Sequence, residues 1–197
     1  MQEKTDLGEG SARSSAFLSA LTNLHAVPHS AGDAKVTVDT IRTIISHADA
    51  KLVVAGGLPT PAKMLVEGAL RGTRHQFVED LKPADALGII SKADVGISWA
   101  SLGAARQGAI VEIVYDDAVK SVSALPRVSI FLLSSQNLLP GMAEVIEHVA
   151  AAMRSGEERK PSVSIISGPS KTADIELRLL YGVHGPHELH VILLDWI

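Results

Sequence analysis

The sequence predicts an α/β fold: a mostly parallel sheet flanked by helices, with an N-terminal helical arm. Three observations carry this. Short apolar, β-branched runs recur at Lys51–Ala55, Asp94–Trp99, Val128–Ser134 and His190–Leu194. Helical patterns, apolar at spacings of three and four, separate the runs. Val128–Leu133 and His190–Leu194 are nearly continuous in apolar residues, as strands covered on both faces are.

Bulk composition agrees with a single globular unit. The 197 residues suffice for one sizeable core and are few for two. Hydrophobic residues make up 46% and charged residues 20%, which argues against disorder. The net charge is −4, and no basic stripe with interleaved aromatics appears, so nucleic-acid binding is disfavoured. There is no cysteine, hence no thiol nucleophile and no thiolate to ligate a metal or cluster. The start, M-Q-E-K-T-D-L-G-E-G-S, lacks the cationic-then-apolar layout of a secretory signal. No apolar run approaches the ~20 residues that span a bilayer. A cytoplasmic location is the resulting expectation.

Residues 1–34 read as an N-terminal helical arm and loop, and residues 35–197 as the α/β domain. Residues 1–11 are polar and read as frayed. Phe17, Leu18, Leu21 and Leu24 mark a helix over Arg13–Leu24. Residues 25–35 hold Pro28, Gly32 and Asp33 and read as a loop. Val38, Ile41, Ile44 and Ile45 predict a helix over Thr37–His47.

Lys51–Ala55 is a short buried strand, followed by Gly56 and Gly57. Pro61 suits the first turn of a helix over Thr60–Leu70. Gln76–Val78 is a small strand and Pro83–Lys92 a helix. Asp94–Trp99 and Gly108–Tyr115 are strands, with Ser101–Gln107 a short helix or turn between them; this pair also suits an antiparallel excursion. Asp116 caps a short helix ending near Val122. Val128–Ser134 is the most strand-like run, and Pro140–Met153 is a helix. Gly156–Pro161 is a charged turn.

The last stretch reads as strand, turn, helix, turn, strand. Val163–Ile166 enters S-G-P-S-K-T-A-D-I-E (Ser167–Glu176), and G-V-H-G-P-H-E-L-H-V-I-L-L-D (Gly182–Asp195) follows. Gly168 allows a sharp turn and Pro169 stiffens it. Ser170 and Thr172 suit caps, and a helix start beside Lys171 attracts anions. Asp174 and Glu176 suit hydrogen bonds from hydroxyls. An ordinary, well-capped strand-to-helix turn accounts for the same residues. The G-x-x-x-x-G-K-[ST] spacing of a phosphate loop is absent. His184, His187 and His190 do not share a helix face, because Gly185 and Pro186 interrupt them, so a zinc site is disfavoured. His184 reads as a loop polar group and His190 as a residue packed at a strand start.

Two other sites are weaker. Gly56-Gly57 resembles a truncated dinucleotide turn but lacks G-x-G-x-x-G, and a tight connection explains it as well. Arg106, beside Gly108, suits a carboxylate or phosphate, or simply solvent. No catalytic constellation can be assembled from spacing, and no metal set is assigned.

Taken together, S-G-P-S-K-T-A-D-I-E, the later G-V-H-G-P-H-E-L-H-V-I-L-L-D, A-D-V-G-I-S (Ala93–Ser98) and L-P-R-V-S-I (Leu125–Ile130) resemble the lactate-utilization (LUD) domain family, LutC/YkgG branch. The resemblance covers roughly residues 35–197. It implies a fold similar to the NagB/RpiA/CoA-transferase-like superfamily. It also implies an accessory role in bacterial oxidation of L-lactate to pyruvate, beside partner subunits carrying iron–sulfur clusters. On this reading the chain itself carries no cofactor and holds a small anionic metabolite. The ligand-site expectation comprises Gly56, Gly57, Arg106, Gly168, Pro169, Ser170, Lys171, Thr172, Asp174, Glu176 and His184. Oligomeric state is left open, a homo-oligomer included. A stand-alone enzyme on a phosphorylated or carboxylated metabolite, or a regulatory ligand-binding module, is the alternative. One departure stands out. Family members often carry an A-E-T-G-like turn where this chain has Ala105-Arg106-Gln107-Gly108, so the Glu nucleophile of related CoA transferases has no counterpart there.

Overall fold

The structure, a computed structural model, describes residues 2–154, 160–173, 179–181 and 185–197. Helix α1 spans Gln2–Asn23, so it begins well before the expected start at Arg13 and takes in the segment read as frayed. Its Phe17 and Leu21 are fully buried. Strand β1 (Val27–Ala31) overturns the loop reading of residues 25–35. It lies at the end of a sheet, where Pro28 is tolerated because one side of the strand needs no ladder bonds. Helix α2 (Ala34–His47) starts at Asp33, whose Oδ1 accepts from the Val36 N–H at 2.8 Å.

There follow β2 (Val53–Ala55), α3 (Thr60–Ala69, with Pro61 in its first turn), β3 (His75–Phe77), α4 (Pro83–Ile90) and β4 (Val95–Trp99). Then come β5 (Leu102–Ala104), β6 (Ala109–Val114), α5 (Asp117–Ala124), β7 (Val128–Ser134), β8 (Leu138–Leu139) and α6 (Met142–Arg154). The Asp116 cap is as expected: its Oδ1 accepts from the Ala118 N–H at 2.7 Å. The chain ends with β9 (Ser162–Ile166), β10 (Lys171–Ala173), β11 (Leu179–Tyr181) and β12 (Glu188–Leu194).

Six strands form one sheet in the order β1-β12-β7-β4-β2-β3, parallel throughout. Every residue of β7 is buried. Its side chains alternate between two cores. Val128, Ile130 and Leu132 meet Ile41, Ile45 and Val66 from α2 and α3. Phe131 and Leu133 meet Phe17 and Leu21 from α1. A third core packs α4 and α5 on Val54 of β2. Among the described residues no helix is long and apolar enough to cross a membrane.

A second sheet, in the order β8-β5-β6-β9, stands apart from the first. β6 is antiparallel to both β5 and β9, which realises the antiparallel excursion. Leu102–Ala104 is a strand of this sheet and not part of a helix or turn; its small residues let β8 and β6 close on it. The helix expected after Ser170 is also replaced. Lys171–Ala173 is extended and pairs antiparallel with Leu179–Tyr181. Residues 174–178, the remainder of the expected helix, lie outside the described residues. The charged turn expected at Gly156–Pro161 falls mostly outside the described residues.

Candidate functional site

Strand β6 carries one charge in an apolar run, A-I-V-E-I-V. Glu112 is only 1% exposed. Its Oε2 accepts a hydrogen bond from Ser123 Oγ at 2.9 Å. Its Oε1 has no hydrogen-bond partner among the described residues. Burial pushes the Glu112 carboxyl up to about 7, while the Ser123 hydroxyl and the Lys120 charge pull the other way. A carboxyl poised there exchanges its proton near neutral pH.

Ser123 and Lys120 lie three apart on α5 and therefore share a helix face. Lys120 Nζ donates to Ser162 Oγ on β9 at 3.1 Å. β9 runs antiparallel to β6, with Ser164 opposite Glu112. The helix and the strand thus bracket the carboxyl and bring a cation and a hydroxyl to one edge of the second sheet.

Past β9 the chain turns at Gly168, where φ is +127° and a Cβ would lie 2.6 Å from the Leu24 carbonyl oxygen. Only glycine fits this close approach to the end of α1. Pro169 is buried, and the Ser170 N–H donates to the Pro186 carbonyl at 3.0 Å. That bond ties the 167–170 turn to Gly185-Pro186. Between the two turns, α5, Phe131 of β7 and Leu189 of β12 lies a cleft of about 390 Å³. Lys120, Ser123, Ser164 and Ser167 supply polar groups on its walls. Larger surface hollows occur elsewhere, such as the one bounded by Arg42, Asp49 and Arg74, but Ser123, the hydrogen-bond partner of Glu112, lines this cleft and none of those.

Of the residues singled out from sequence, Gly168, Pro169 and Ser170 line this cleft. Lys171 and Thr172 follow in β10, so they cap no helix and the helix-dipole argument for an anion there is withdrawn. Asp174, Glu176 and His184 lie outside the described residues.

Gly56 and Gly57 are elsewhere, at the end of β2. The Gly57 N–H donates to Glu79 Oε1 at 2.6 Å, and Gly56 packs on Val78 and Val122. A carboxylate already holds the backbone donor that a phosphate would need, and the pair acts as a tight connection. Arg106 is also away from the cleft. Its Nε donates to the Pro140 carbonyl, and its guanidinium stands 3.9 Å from Glu144, bracing the start of α6.

Sequence reasoning missed Glu112, Ser123 and Lys120. The one available signal was a glutamate inside an apolar strand run, since Glu is almost never fully buried without a partner.

A half-buried histidine pair sits on the parallel sheet. His29 of β1 and His190 of β12 are stacked, with Nε2 and Nδ1 3.1 Å apart. Burial, then the His190 charge, pulls His29 down to about 4. Burial likewise lowers His190, against the pull of Glu188. His187 is exposed at the entry to β12.

The family profile for the LUD domain matches residues 15–194. Escherichia coli YkgG is 29% identical over 163 residues, covering 83% of this chain and 71% of that protein. Lactate utilization protein C of Oceanobacillus iheyensis is 31% identical over 163 residues, covering 79% of this chain and 68% of the other. The protein of the same name in Halalkalibacterium halodurans is 38% identical over 104 residues, 53% of this chain and 45% of its own length. Among solved structures, a DUF162 family protein from Deinococcus radiodurans superposes with a TM-score of 0.68 at 20% identity, over 94% of this chain and 98% of that one. That likeness establishes the shared α/β fold.

Proposed function

This chain belongs to the LUD domain family, LutC/YkgG branch, and from that premise we propose that it is an accessory subunit of a bacterial L-lactate oxidation system. It works beside iron–sulfur partner proteins and holds a small anionic metabolite in the cleft beside the Gly168–Ser170 turn. Relatives bearing the name lactate utilization protein C support a role in lactate utilization.

The observation that carries the site is the convergence of Gly168–Ser170 with Lys120 and Ser123 around one cleft. Lys120 supplies the positive charge that the reading from sequence had sought in Lys171. The chain contains no cysteine, so thiolate-ligated clusters belong to the partners on this reading.

A thermal-shift series with L-lactate, pyruvate and inorganic phosphate tests the site. A ligand at about 100 times its Kd adds about 2.7 kcal/mol to stability. Lys120→Ala is expected to abolish the shift, and a shift that survives it places the ligand elsewhere. Co-purification with an iron–sulfur protein, and no turnover by the chain alone, supports the accessory role.

One observation favours a second reading, an enzyme in its own right: the buried Glu112 titrates in the range of a general acid or base. Turnover of a carboxylated or phosphorylated metabolite by the isolated chain, lost in Glu112→Gln, decides for it.

A further inference from the structure

Glu112 lies behind the cleft wall and not in it. It reaches the cleft through Ser123, which both lines the cleft and hydrogen-bonds the carboxyl. Ser123 has one hydroxyl proton and two possible acceptors, Glu112 Oε2 at 2.9 Å and the Lys120 carbonyl at 3.0 Å. When Glu112 is ionised, that proton points at the carboxylate, and the hydroxyl offers only lone pairs to a ligand. When the carboxyl carries a proton on Oε2, it donates to Ser123 instead. The Ser123 proton is then released to the Lys120 carbonyl or to a ligand.

We infer that the Glu112–Ser123 pair sets whether the cleft accepts or donates a hydrogen bond, and so selects between a 2-hydroxy acid and its 2-oxo counterpart. This rests on the anion-cleft reading above and names the ligand class for the same site. The carboxylate common to both ligands goes to Lys120, and the neighbouring oxygen goes to Ser123, one helical turn away on the same face. A hydroxyl can donate to Ser123 when Glu112 is ionised. A carbonyl can only accept, and needs the protonated state.

Among the described residues the buried Glu112 carboxyl has one oxygen, Oε1, without a partner, and its other oxygen is held by a residue of the cleft wall. A buried unpaired acceptor costs stability. Among the described residues few other groups face the carboxyl. On α5, Lys120 and Ser123 face the carboxyl; on β9, the residues alongside are Ser162 and Ser164; β5, on the other side of β6, carries no titratable residue. Glu112 is therefore a positioning residue that acts through Ser123.

The test is calorimetric binding of L-lactate and of pyruvate to the full chain at about pH 5.5 and about pH 8.5, either side of the Glu112 transition. Both probes are anions throughout this range. The lactate-to-pyruvate affinity ratio is expected to rise about fivefold to tenfold from the lower to the higher pH, the worth of one exchanged hydrogen bond. In Glu112→Gln the ratio should not depend on pH. In Ser123→Ala it should also be flat, with both probes bound more weakly. A ratio in the unaltered protein that ignores pH while both probes bind overturns the inference and leaves the anion cleft standing. If neither probe binds at either pH, the anion-cleft reading fails for these acids, and the inference falls with it.

Discussion

β7, in the interior of the six-stranded sheet, buries all seven of its residues; β9, at the end of the second sheet, fully buries none of its five. The first strand is covered by helices on both faces and carries two cores. The second walls a cleft and hands its chain to the Gly168 turn. Stability is concentrated where apolar side chains interdigitate on both sides. Polar chemistry collects where one side of a strand is left for a ligand. Each sheet also carries titrating groups shifted by burial, with opposite signs: the half-buried His29 and His190 in the first, and the buried Glu112 in the second.

The largest expected effect lies in the parallel sheet. Leu132→Ala should lower stability by about 2–5 kcal/mol in urea denaturation, through lost burial and a residual cavity. A loss under about 1 kcal/mol would break the contrast, because it would mean that β7 is not the packed centre.

Gly168→Ala should cost about 1–3 kcal/mol, from backbone strain and the clash with the Leu24 carbonyl. It should also abolish anion binding. Binding that persists would separate the turn from the cleft.

These titrating groups sharpen the comparison through pH. Glu112 moves up, from 4.5 to about 7, so the folded state holds more protons than the unfolded one between these values. Its cost is absent below pH 4.5 and complete above pH 7. Glu112→Gln should therefore be more stable than the parent at pH 8 by roughly 1–3 kcal/mol, and equal to it near pH 4. The histidines move down, His29 from 6.5 to about 4, so their contribution is present above pH 6.5 and lost as pH falls towards 4. The double variant His29→Gln, His190→Gln should flatten that acid-side slope by roughly 1–2 kcal/mol. Denaturation midpoints followed across pH separate the two signs.

The smallest effect is expected at Arg106. Its contact with Glu144 is long and solvent-exposed, so Arg106→Ala should change stability by less than about 1 kcal/mol and leave cleft binding unchanged.

Much of the parallel sheet was legible. Val128–Ser134 and His190–Leu194 read as doubly covered strands because continuous apolar runs have few other uses. The Asp116 cap was legible because capping is local. β1 was not, since V-P-H-S-A is polar and contains proline, and only its pairing with β12 makes it a strand. The cleft was partly legible as structure. The G-P-S turn read from sequence is a turn and lines the cleft, yet the helix start expected after it is a strand, because β11 offers β10 a partner.

What the sequence determined by itself is the α/β class, the buried strands and the turn, all of which follow from local periodicity and backbone chemistry. What only the tertiary structure decided is the meaning of Glu112. It stands eleven positions from Ser123 along the chain, and the two meet because α5 packs against β6. Desolvation and hydrogen bonding across elements set a carboxyl's behaviour, and no spacing along the chain encodes them.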